Sequence, residues 1–475
     1  MNARRIPMLA SAIAAALVVA GCAAPNLDAA TSEANALAAP VSGSANATLQ
    51  RDSSQRDAAA KLSAELLAKP LTMDGAVKLA VSNSPAFQVE LARSWTEISQ
   101  ARQRGLPGGV LFSFERLREG SNLDIGRLLS FGLFDLVTLP QRQAVSKIES
   151  EQARVRMAEA IVDQVTAVRR AWVKAVAARE VETYTVQVKD AAEASADLAR
   201  RLQTVGNFTK LQAARQHLFY ADATSRLASA RQAAVATREE LVRQLGLSDA
   251  QTRSLQLPDR LPELPKSPME ASDVSRQLAG QRLDARLARL ELEAAGHSRG
   301  LDLASSLVDV ELGVRRDSRF DGSGDRSTTR GFELDIRLPV FDWGATRRAS
   351  LDGRSLAAAN RYEAIARAAN SQARESYSAY RTAYDQAKHQ RDEMVPLRKT
   401  ISEENVLRYN GMLIGVFELL ADAREQVSGV ITAIEAQRDF WLADAALSST
   451  LIGRPSMGAA ARSPSPDSAP EAASH

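Results

Sequence analysis

The sequence predicts a mainly helical protein with a smaller β part, and two observations lead to this prediction. Two segments, 141–205 and 345–410, have a helical composition and spacing. Each has about 65 residues, so as a helix each would be about 100 Å long. Four shorter stretches alternate between apolar and polar side chains, which is the pattern of β-strands. Both features occur twice in the same order, so the chain of 475 residues contains two similar passes.

The long helical segments carry apolar residues at coiled-coil spacing. In the first pass these residues alternate in steps of four and three: Ile161, Val165, Val168, Trp172 and Ala175. Three tyrosines repeat the spacing in the second pass: Tyr377, Tyr380 and Tyr384. A seam of this kind packs against a neighbouring helix. We therefore predict long coiled-coil helices, and we assign the tyrosines to packing rather than to a ligand site.

The alternating stretches lie near 109–138 in the first pass and near 306–341 in the second. The second pair is the clearer one, because SSLVDVELGVRR and GFELDIRLPVF alternate regularly around a polar loop. Each stretch is about as long as a tilted membrane strand, which needs about nine to eleven residues. A small soluble sheet with one solvated face is the alternative.

Four strands in one chain cannot close a barrel, and open strand edges are not tolerated in lipid. A membrane barrel would therefore be shared between chains. Two copies would supply eight strands and three would supply twelve, and geometry alone does not choose between them.

The order along the chain predicts six regions. They are a signal peptide at 1–21, a flexible tether at 22–57, a first repeat at 58–254, a proline-rich linker at 255–270, a second repeat at 271–453 and a disordered tail at 454–475. A repeat of about two hundred residues is too long to be a solenoid unit.

The single cysteine, Cys22, stands directly after a signal-like segment. Arg4 and Arg5 precede an apolar run that is too short to span a bilayer comfortably. The sequence VAGC then resembles the lipobox of bacterial lipoproteins. That resemblance implies cleavage before Cys22 and acylation of its thiol, and Ala23 at the next position favours the outer membrane. An ordinary signal peptide with an incidental cysteine is the alternative.

Composition and motifs disfavour several classes of function. The formal net charge of +3 gives no basic excess for binding nucleic acid. The four histidines do not cluster in the sequence, and no phosphate loop, zinc spacing or nucleophile elbow is recognisable. We therefore predict that the protein is not an enzyme and has no metal site, and that its only cofactor-like group is a covalent lipid on Cys22.

The pattern as a whole resembles the TolC-like outer membrane efflux proteins. The most specific motif is LPVFDWGATRR at 338–348, where a strand passes into a long helix, and LFDLVTLPQR at 133–142 occupies the equivalent place. The resemblance implies a homotrimer with a shared 12-stranded β-barrel in the outer membrane and a helical α-barrel in the periplasm. It also implies a periplasmic adaptor protein and an inner membrane pump as partners, with the linker at 255–270 near the middle of the tunnel.

Two glycine turns reverse the chain after the long helices, in LQTVGNFTKLQAAR and LRYNGMLIGVFELLADAR. We predict that Gly206 and Gly411 supply the permissive backbone of these turns. Met412, Leu413 and Ile414 place apolar side chains at the second tip, which suggests a docking surface. The resemblance implies that the adaptor docks there, and local packing between the two helices is the alternative.

Two carboxylates follow the second turn. Glu418 and Asp422 are four residues apart and therefore share one helical face. The resemblance implies that carboxylates here line the closed periplasmic entrance, where three copies would form acidic rings that attract cations. The first turn has Lys210 and Gln212 instead, and an ordinary solvated face is the alternative.

Together these features predict a passive exit duct of a tripartite efflux or secretion system in the outer membrane. It would extend into the periplasm and would be opened at its tips by the adaptor. A hypothesis from another class is a coiled-coil lipoprotein that acts as a spacer in the cell envelope. That hypothesis accounts for Cys22 and the long helices but not for strands of membrane length in both passes.

Overall fold

The computed structural model describes residues 26–278, 282–307, 309–321, 323, 325–337 and 345–455. The signal peptide, Cys22, most of the predicted tail and the first part of LPVFDWGATRR lie outside the described residues. The described chain is mainly helical and includes one antiparallel sheet of four strands. The predicted fold class, mainly α with a smaller β part, is confirmed.

The structure has thirteen described α-helices and four strands. The helices are α1 Leu27–Ser42, α2 Ser53–Leu67, α3 Met73–Asn83, α4 Pro85–Arg104, α5 Leu133–Val137, α6 Leu139–Thr204, α7 Lys210–Leu245, α8 Asp249–Ser254, α9 Ala271–Leu278, α10 Leu283–Leu307, α11 Ala345–His389, α12 Val395–Asn410 and α13 Val416–Leu451. The strands are β1 Leu111–Glu119, β2 Asn122–Gly132, β3 Asp309–Phe320 and β4 Arg326–Arg337. None of the described helices combines the length and the hydropathy that a membrane span requires.

The two passes have matching helix lengths. Helix α6 has 66 residues, and α11, a π-helical turn at Gln390–Met394 and α12 have 45, 5 and 16 residues, which together give the same length. Helices α7 and α13 both have 36 residues. Because α6 begins at Leu139 and α11 at Ala345, equivalent positions in the two passes are 206 residues apart.

The π-helical turn interrupts the second long helix, which the sequence predicted as one continuous element. Pro396 lies at the beginning of α12, immediately after this turn. Proline has no backbone N–H and its ring clashes with the carbonyl of the preceding turn. A local widening of the helix accommodates both effects, as is usual for an irregularity inside a long helix.

The predicted flexible tether at 22–57 is wrong for its described part. Helix α1 occupies most of it, and the Asn26 Oδ1 atom accepts hydrogen bonds from the backbone N–H groups of Asp28 and Ala29 at its beginning. Apolar side chains of α1 are buried, including Ala34, Ala38 and Val41. Small residues give the segment the composition of a linker, but they also allow close packing of a helix.

Three other predicted elements differ from the structure in their bounds. The predicted helix at 72–104 is divided between α3 and α4, because Ser84 precedes Pro85 and adopts an extended conformation. The predicted strand pair at 109–138 ends earlier, because β2 stops at Gly132 and α5 follows. The predicted helix at 271–299 also consists of two helices, α9 and α10.

Contacts divide the chain into two compact units, and each unit takes segments from both passes. One unit, which we call the sheet unit, comprises the residues up to Ala34, Arg93–Arg154 and Glu293–Ser355. The other, the helical unit, comprises Asn35–Ala92, Val155–Leu292 and the residues from Leu356 onwards. The predicted repeats describe the order of elements along the chain, and each compact unit combines segments of both repeats.

The core of the helical unit contains the predicted packing residues. Tyr380 and Tyr384 are buried, and their ring centroids lie 5.5 and 5.7 Å from that of Phe440. Their hydroxyl groups reach the proline-rich linker: the Tyr380 oxygen accepts from the Met269 N–H at 3.1 Å, and Tyr384 donates to the Pro265 carbonyl at 3.1 Å. The tyrosines therefore pack and also fix the linker, which has neither helix nor strand between Leu255 and Glu270.

Candidate functional site

The sheet is antiparallel throughout, in the order β1-β2-β3-β4. Strands β1 and β4 form its two edges: β1 pairs only with β2 and β4 only with β3 among the described strands. Unpaired backbone groups at an open edge favour pairing with another chain. The sheet of one chain is therefore open on both sides.

One face of the sheet, the apolar face, carries rows of hydrophobic side chains across all four strands. Directly paired residues of antiparallel strands point to the same face. Phe112 pairs with Leu129, Leu129 with Val314, and Val314 with Phe332, so these four side chains form one row. The next row towards the helix-connected ends of the strands consists of Phe131, Leu312 and Leu334. The side chain of Phe332 is 83% exposed in the single chain.

The opposite face, the acidic face, carries ion pairs. Arg319 forms a two-pronged pair with Asp124, in which Nε and Nη2 each lie 2.8 Å from a carboxylate oxygen. Arg315 Nε lies 2.9 Å from an Asp317 oxygen, and its guanidinium is 3.8 Å from Glu115 and from Glu333. A sheet with one apolar and one charged face is the arrangement expected of strands that separate lipid from an aqueous interior.

The two predicted tip turns share one backbone geometry, a Schellman motif that ends each long helix. In the first turn Asn207 N–H donates to Leu202 O at 2.9 Å and Gly206 N–H to Gln203 O at 3.1 Å. In the second turn Leu413 N–H donates to Arg408 O at 2.8 Å and Met412 N–H to Tyr409 O at 2.9 Å.

The residue equivalent to Gly206 is therefore Met412, and the predicted role of Gly411 is wrong. Gly206 has φ +80° and Met412 has φ +58°, whereas Gly411 has φ −80°. Only glycine adopts the left-handed conformation without steric cost. Gly411 lies one position before the reversal, at the cap of α12, where any residue has an allowed conformation.

The apolar residues of the second turn divide into exposed and buried ones. Met412 and Leu413 are 93% and 73% exposed, while Ile414 is only 8% exposed. Beside them the rings of Phe208 and Phe417 stack with their centroids 4.6 Å apart, which joins the two turns. Met412 and Leu413 are thus available to a partner, and Ile414 serves the packing of the turn.

Glu418 and Asp422 lie in the same groove close to the tips. The groove has a volume of about 780 Å³ and is lined by residues of α6, α7, α12 and α13. Glu418 also lies in the first turn of α13, where a carboxylate interacts favourably with the helix dipole. Its equivalent in the first pass is Gln212, which forms a capping box with Thr209. The prediction that both carboxylates share one face agrees with this geometry.

The groove residues that were not predicted from the sequence include Phe219, Arg424 and Glu425. The guanidinium of Arg424 lies 4.0 Å from the ring centroid of Phe219, a cation–π contact. Burial lowers the pKa of Arg424, and the neighbouring Glu425 acts in the opposite direction. The position of Arg424, two residues after Asp422, is a sequence signal that could have identified it as a groove residue. Its contact with Phe219 could not be predicted, because it depends on the packing of α7 against α13.

The described residues of the groove and the sheet form no cluster of metal-ligating side chains. No group of three or more His, Cys, Asp or Glu side chains there could hold a metal ion. The Asp422 Oδ2 atom is buried and makes no hydrogen bond to a described residue. The chemistry available is electrostatic: carboxylates and a desolvated guanidinium that face a shared groove.

Residues 274–402 match the family model of the outer membrane efflux proteins. Three solved structures have TM-scores of 0.64: a membrane protein of Pseudomonas aeruginosa, VceC of Vibrio cholerae, and the outer membrane channel CmeC of Campylobacter jejuni. Their identities to the chain are 19%, 16% and 13%; the matches cover 80%, 80% and 86% of the chain and 93%, 96% and 89% of these proteins. The chain has the fold of the TolC-like outer membrane efflux proteins.

The resemblance predicted from LPVFDWGATRR and the two tip turns is thereby confirmed. The efflux-protein fold accounts for the paired long helices and the four strands in one chain. No curated protein sequence matches the chain. The efflux-protein fold does not by itself assign roles to Glu418, Asp422, Met412 or Leu413.

The two turns give a direct test of their assignment. Gly206→Ala is expected to destabilise the first tip by about 1 kcal/mol, because alanine must adopt a left-handed conformation. Hydrogen exchange of the tip amides should then be about fivefold faster. Gly411→Ala is the matched control: its Cβ would make only ordinary contacts, the nearest at 3.5 Å, so exchange should not increase. Equal effects of the two substitutions would contradict the assignment of Met412 as the equivalent of Gly206.

Proposed function

We propose that the chain is one subunit of a homotrimeric exit duct in the outer membrane, part of a tripartite efflux or secretion system. Three chains would supply twelve strands to one barrel and would continue as a helical tunnel in the periplasm. The duct is a passive conduit, and energy comes from an inner membrane pump. Its fold and its match to the efflux-protein family support this proposal.

The observation that carries the proposal is the two-faced sheet with two open edges. Apolar rows on one face suit hydrocarbon, and the charged opposite face suits an aqueous lumen. Lipid tolerates strands only in a closed sheet, because every backbone group must be paired. Further copies of the same chain would close the sheet. A coiled-coil spacer has no use for such a face, so this hypothesis is the weaker one.

The exposed residues of the second turn are the proposed docking surface for the periplasmic adaptor. Met412 and Leu413 project from a turn whose backbone is fixed by two hydrogen bonds, at 2.8 and 2.9 Å. A rigid turn that presents apolar side chains loses little conformational entropy on binding. The left-handed conformation of Gly206 allows the same pair of backbone hydrogen bonds in the first turn. Ile414 is buried and packs inside the second turn.

Glu418 and Asp422 are the proposed entrance gate. Both line the groove at the tips, and three copies would place six carboxylates around the axis of a trimer. A ring of carboxylates attracts cations and repels anions. Docking of the adaptor would separate the tips and widen this ring.

Acylation of Cys22 is the proposed membrane anchor. It rests on the lipobox-like VAGC sequence alone, since Cys22 lies outside the described residues. Several acyl chains on one residue hold a protein firmly to a membrane. The anchor would place the protein at the outer membrane independently of the sheet.

Ion conductance in a planar bilayer tests the proposed duct and its gate. The purified trimer should give discrete conductance steps with a preference for cations. Glu418→Gln should lower the ratio of cation to anion permeability by about twofold or more. Asp422→Gln should act in the same direction but less strongly, because Asp422 is already half-buried.

The control for this experiment is Glu404→Gln. Glu404 is exposed on α12 and does not line the groove, so its loss should leave the selectivity unchanged. A trimer whose tips are closed would not conduct even if it is a duct. The double variant Phe208→Ala/Phe417→Ala addresses this case, because it removes the ring stack between the turns and should loosen the tips. If neither the folded wild type nor this loosened variant conducts, the protein is not a duct.

A further inference from the structure

The apolar face of the sheet carries an unexpected row of arginines. Arg127 pairs with Arg316, and Arg316 pairs with Arg330, so the three side chains point to one face from three adjacent strands. Neighbouring strands are about 4.8 Å apart, which places the three Cα atoms within about 10 Å. Phe114 completes the row on β1, where it pairs with Arg127.

The two faces of the sheet differ sharply in their charges. The register places six arginines on the apolar face: Arg116, Arg118, Arg127, Arg316, Arg326 and Arg330. No described strand residue on that face is a carboxylate. The strand carboxylates all lie on the opposite, acidic face, where Arg315 and Arg319 find their partners.

In the described part of the chain, the arginines of this row have no carboxylate partners of the kind that Arg315 and Arg319 have on the acidic face. Arg127, Arg316 and Arg330 form no ion pair with a described residue, and like charges directly opposite each other destabilise a sheet. Arg326 differs, because it lies 5.5 Å from the centroid of Phe320 and so has a contact within the sheet. An external anion would remove the repulsion in the row.

The position of the row identifies the kind of anion. It lies directly beside the apolar row of Phe112, Leu129, Val314 and Phe332, on the side of the β1–β2 and β3–β4 hairpins. Two residues along a strand correspond to about 7 Å. The charge therefore begins where the apolar rows end, at the level where a bilayer presents its headgroups.

We propose that Arg127, Arg316 and Arg330 form a binding surface for the phosphate groups of lipid headgroups in the leaflet on the hairpin side. Guanidinium groups bind phosphate oxygens in two-pronged pairs. Long basic side chains are also favoured at membrane interfaces, where the stem contacts apolar groups and the charge reaches the headgroups. The proposal rests on the proposed function in one respect, namely that the apolar rows face hydrocarbon. It adds a preference for phosphate-rich lipids, which the channel function does not require.

Lipid binding by the purified trimer in a neutral detergent tests this surface. The probes are lipid A, which carries two phosphates, phosphatidylcholine, and sodium phosphate at the same phosphate concentration. Native mass spectrometry counts the lipids retained on each trimer, at low and at high salt. The wild type should retain lipid A at least about tenfold better than phosphatidylcholine, and salt should weaken the preference.

The variant Arg127→Gln/Arg316→Gln/Arg330→Gln should lose this preference, whereas the corresponding triple lysine variant should keep part of it through its charge. Arg215→Gln/Arg243→Gln/Arg253→Gln is the matched control: these arginines are exposed on helices, so the same loss of charge should not reduce lipid A binding. Sodium phosphate should not displace lipid A, because it lacks the acyl chains that fit the apolar rows.

Three outcomes would overturn the inference. They are equal retention of lipid A and phosphatidylcholine by the wild type, an undiminished preference in the triple glutamine variant, and full displacement by sodium phosphate. The first two would make the row an ordinary solvated surface, and the third a site for free phosphate. Conductance of the same wild-type preparation separates this inference from the duct, because a trimer that conducts without preferring lipid A contradicts only the inference.

Discussion

Phe332→Lys is expected to prevent stable insertion of the trimer into the outer membrane. Phe332 is on the apolar face and is the most exposed large apolar residue of the sheet. A lysine facing lipid destabilises a membrane barrel by about 2–4 kcal/mol at the bilayer midplane and by less towards the headgroups. In a trimer the substitution occurs three times, so we expect loss of the protein from the outer membrane fraction. Fractionation of cells and trimer stability on a gel measure the effect.

Thr329→Lys is the control, because Thr329 lies on the same strand but belongs to the acidic face. Thr329 is exposed, so a longer side chain has room there. Its direct partner on β3 is Asp317, whose carboxylate favours a lysine electrostatically. We expect insertion to persist. Equal behaviour of the two variants would contradict the assignment of the faces.

Trp172→Ala is expected to cause the largest loss of stability in the helical unit. The Trp172 side chain is only 1% exposed, and its Nε1–H donates to the Leu71 carbonyl at 2.8 Å. Truncation of a buried tryptophan costs about 3–5 kcal/mol. The Leu71 carbonyl would also lose its partner in a buried place, which adds to this cost. The midpoint of denaturant unfolding measures the change.

Trp172→Phe separates the two contributions. Phenylalanine keeps most of the ring volume but has no N–H, so we expect a loss of about 1–3 kcal/mol, clearly smaller than that of alanine. If Trp172→Ala changed the midpoint no more than a substitution of an exposed residue, the proposed core around α6 would be wrong.

The long helices and the sheet strands of the second pass are predictable because their signals are local. Heptad spacing identifies α6 from the residues around Trp172, and alternation identifies β3 and β4. Helix α1 escapes such a prediction, because its small residues have the composition of a linker. Its order depends on packing with distant parts of the chain, which no short window contains.

At the tip turns, an uncertainty of one residue in the end of a helix changes which residue is assigned to the left-handed position. Two glycines at similar places, Gly206 and Gly411, suggest one equivalence, but the last helical hydrogen bonds assign Gly206 to Met412. The position of the last residue of a helix cannot be predicted from the sequence to within one residue.

Cross-strand arrangements need the register of the sheet. Alternation within one strand divides its residues between two faces, which is how the apolar residues of β3 are recognised. The row of Arg127, Arg316 and Arg330 appears only when three strands are aligned, one from the first pass and two from the second. The contact of Arg424 with Phe219 likewise joins residues far apart in the chain.

Disulfide trapping between chains tests the central claim, a closed barrel shared by three copies. Ser113→Cys on β1 is combined in turn with Ser327→Cys, Thr329→Cys and Gly331→Cys on β4, all on the acidic face. Within one chain β1 and β4 are about 14 Å apart, too far for a disulfide, so a bond between the two introduced cysteines joins two chains. At least one pair should give covalent products that extend to three chains and no further. Products that end at two chains or exceed three, or no covalent product from any pair, would contradict the trimeric barrel.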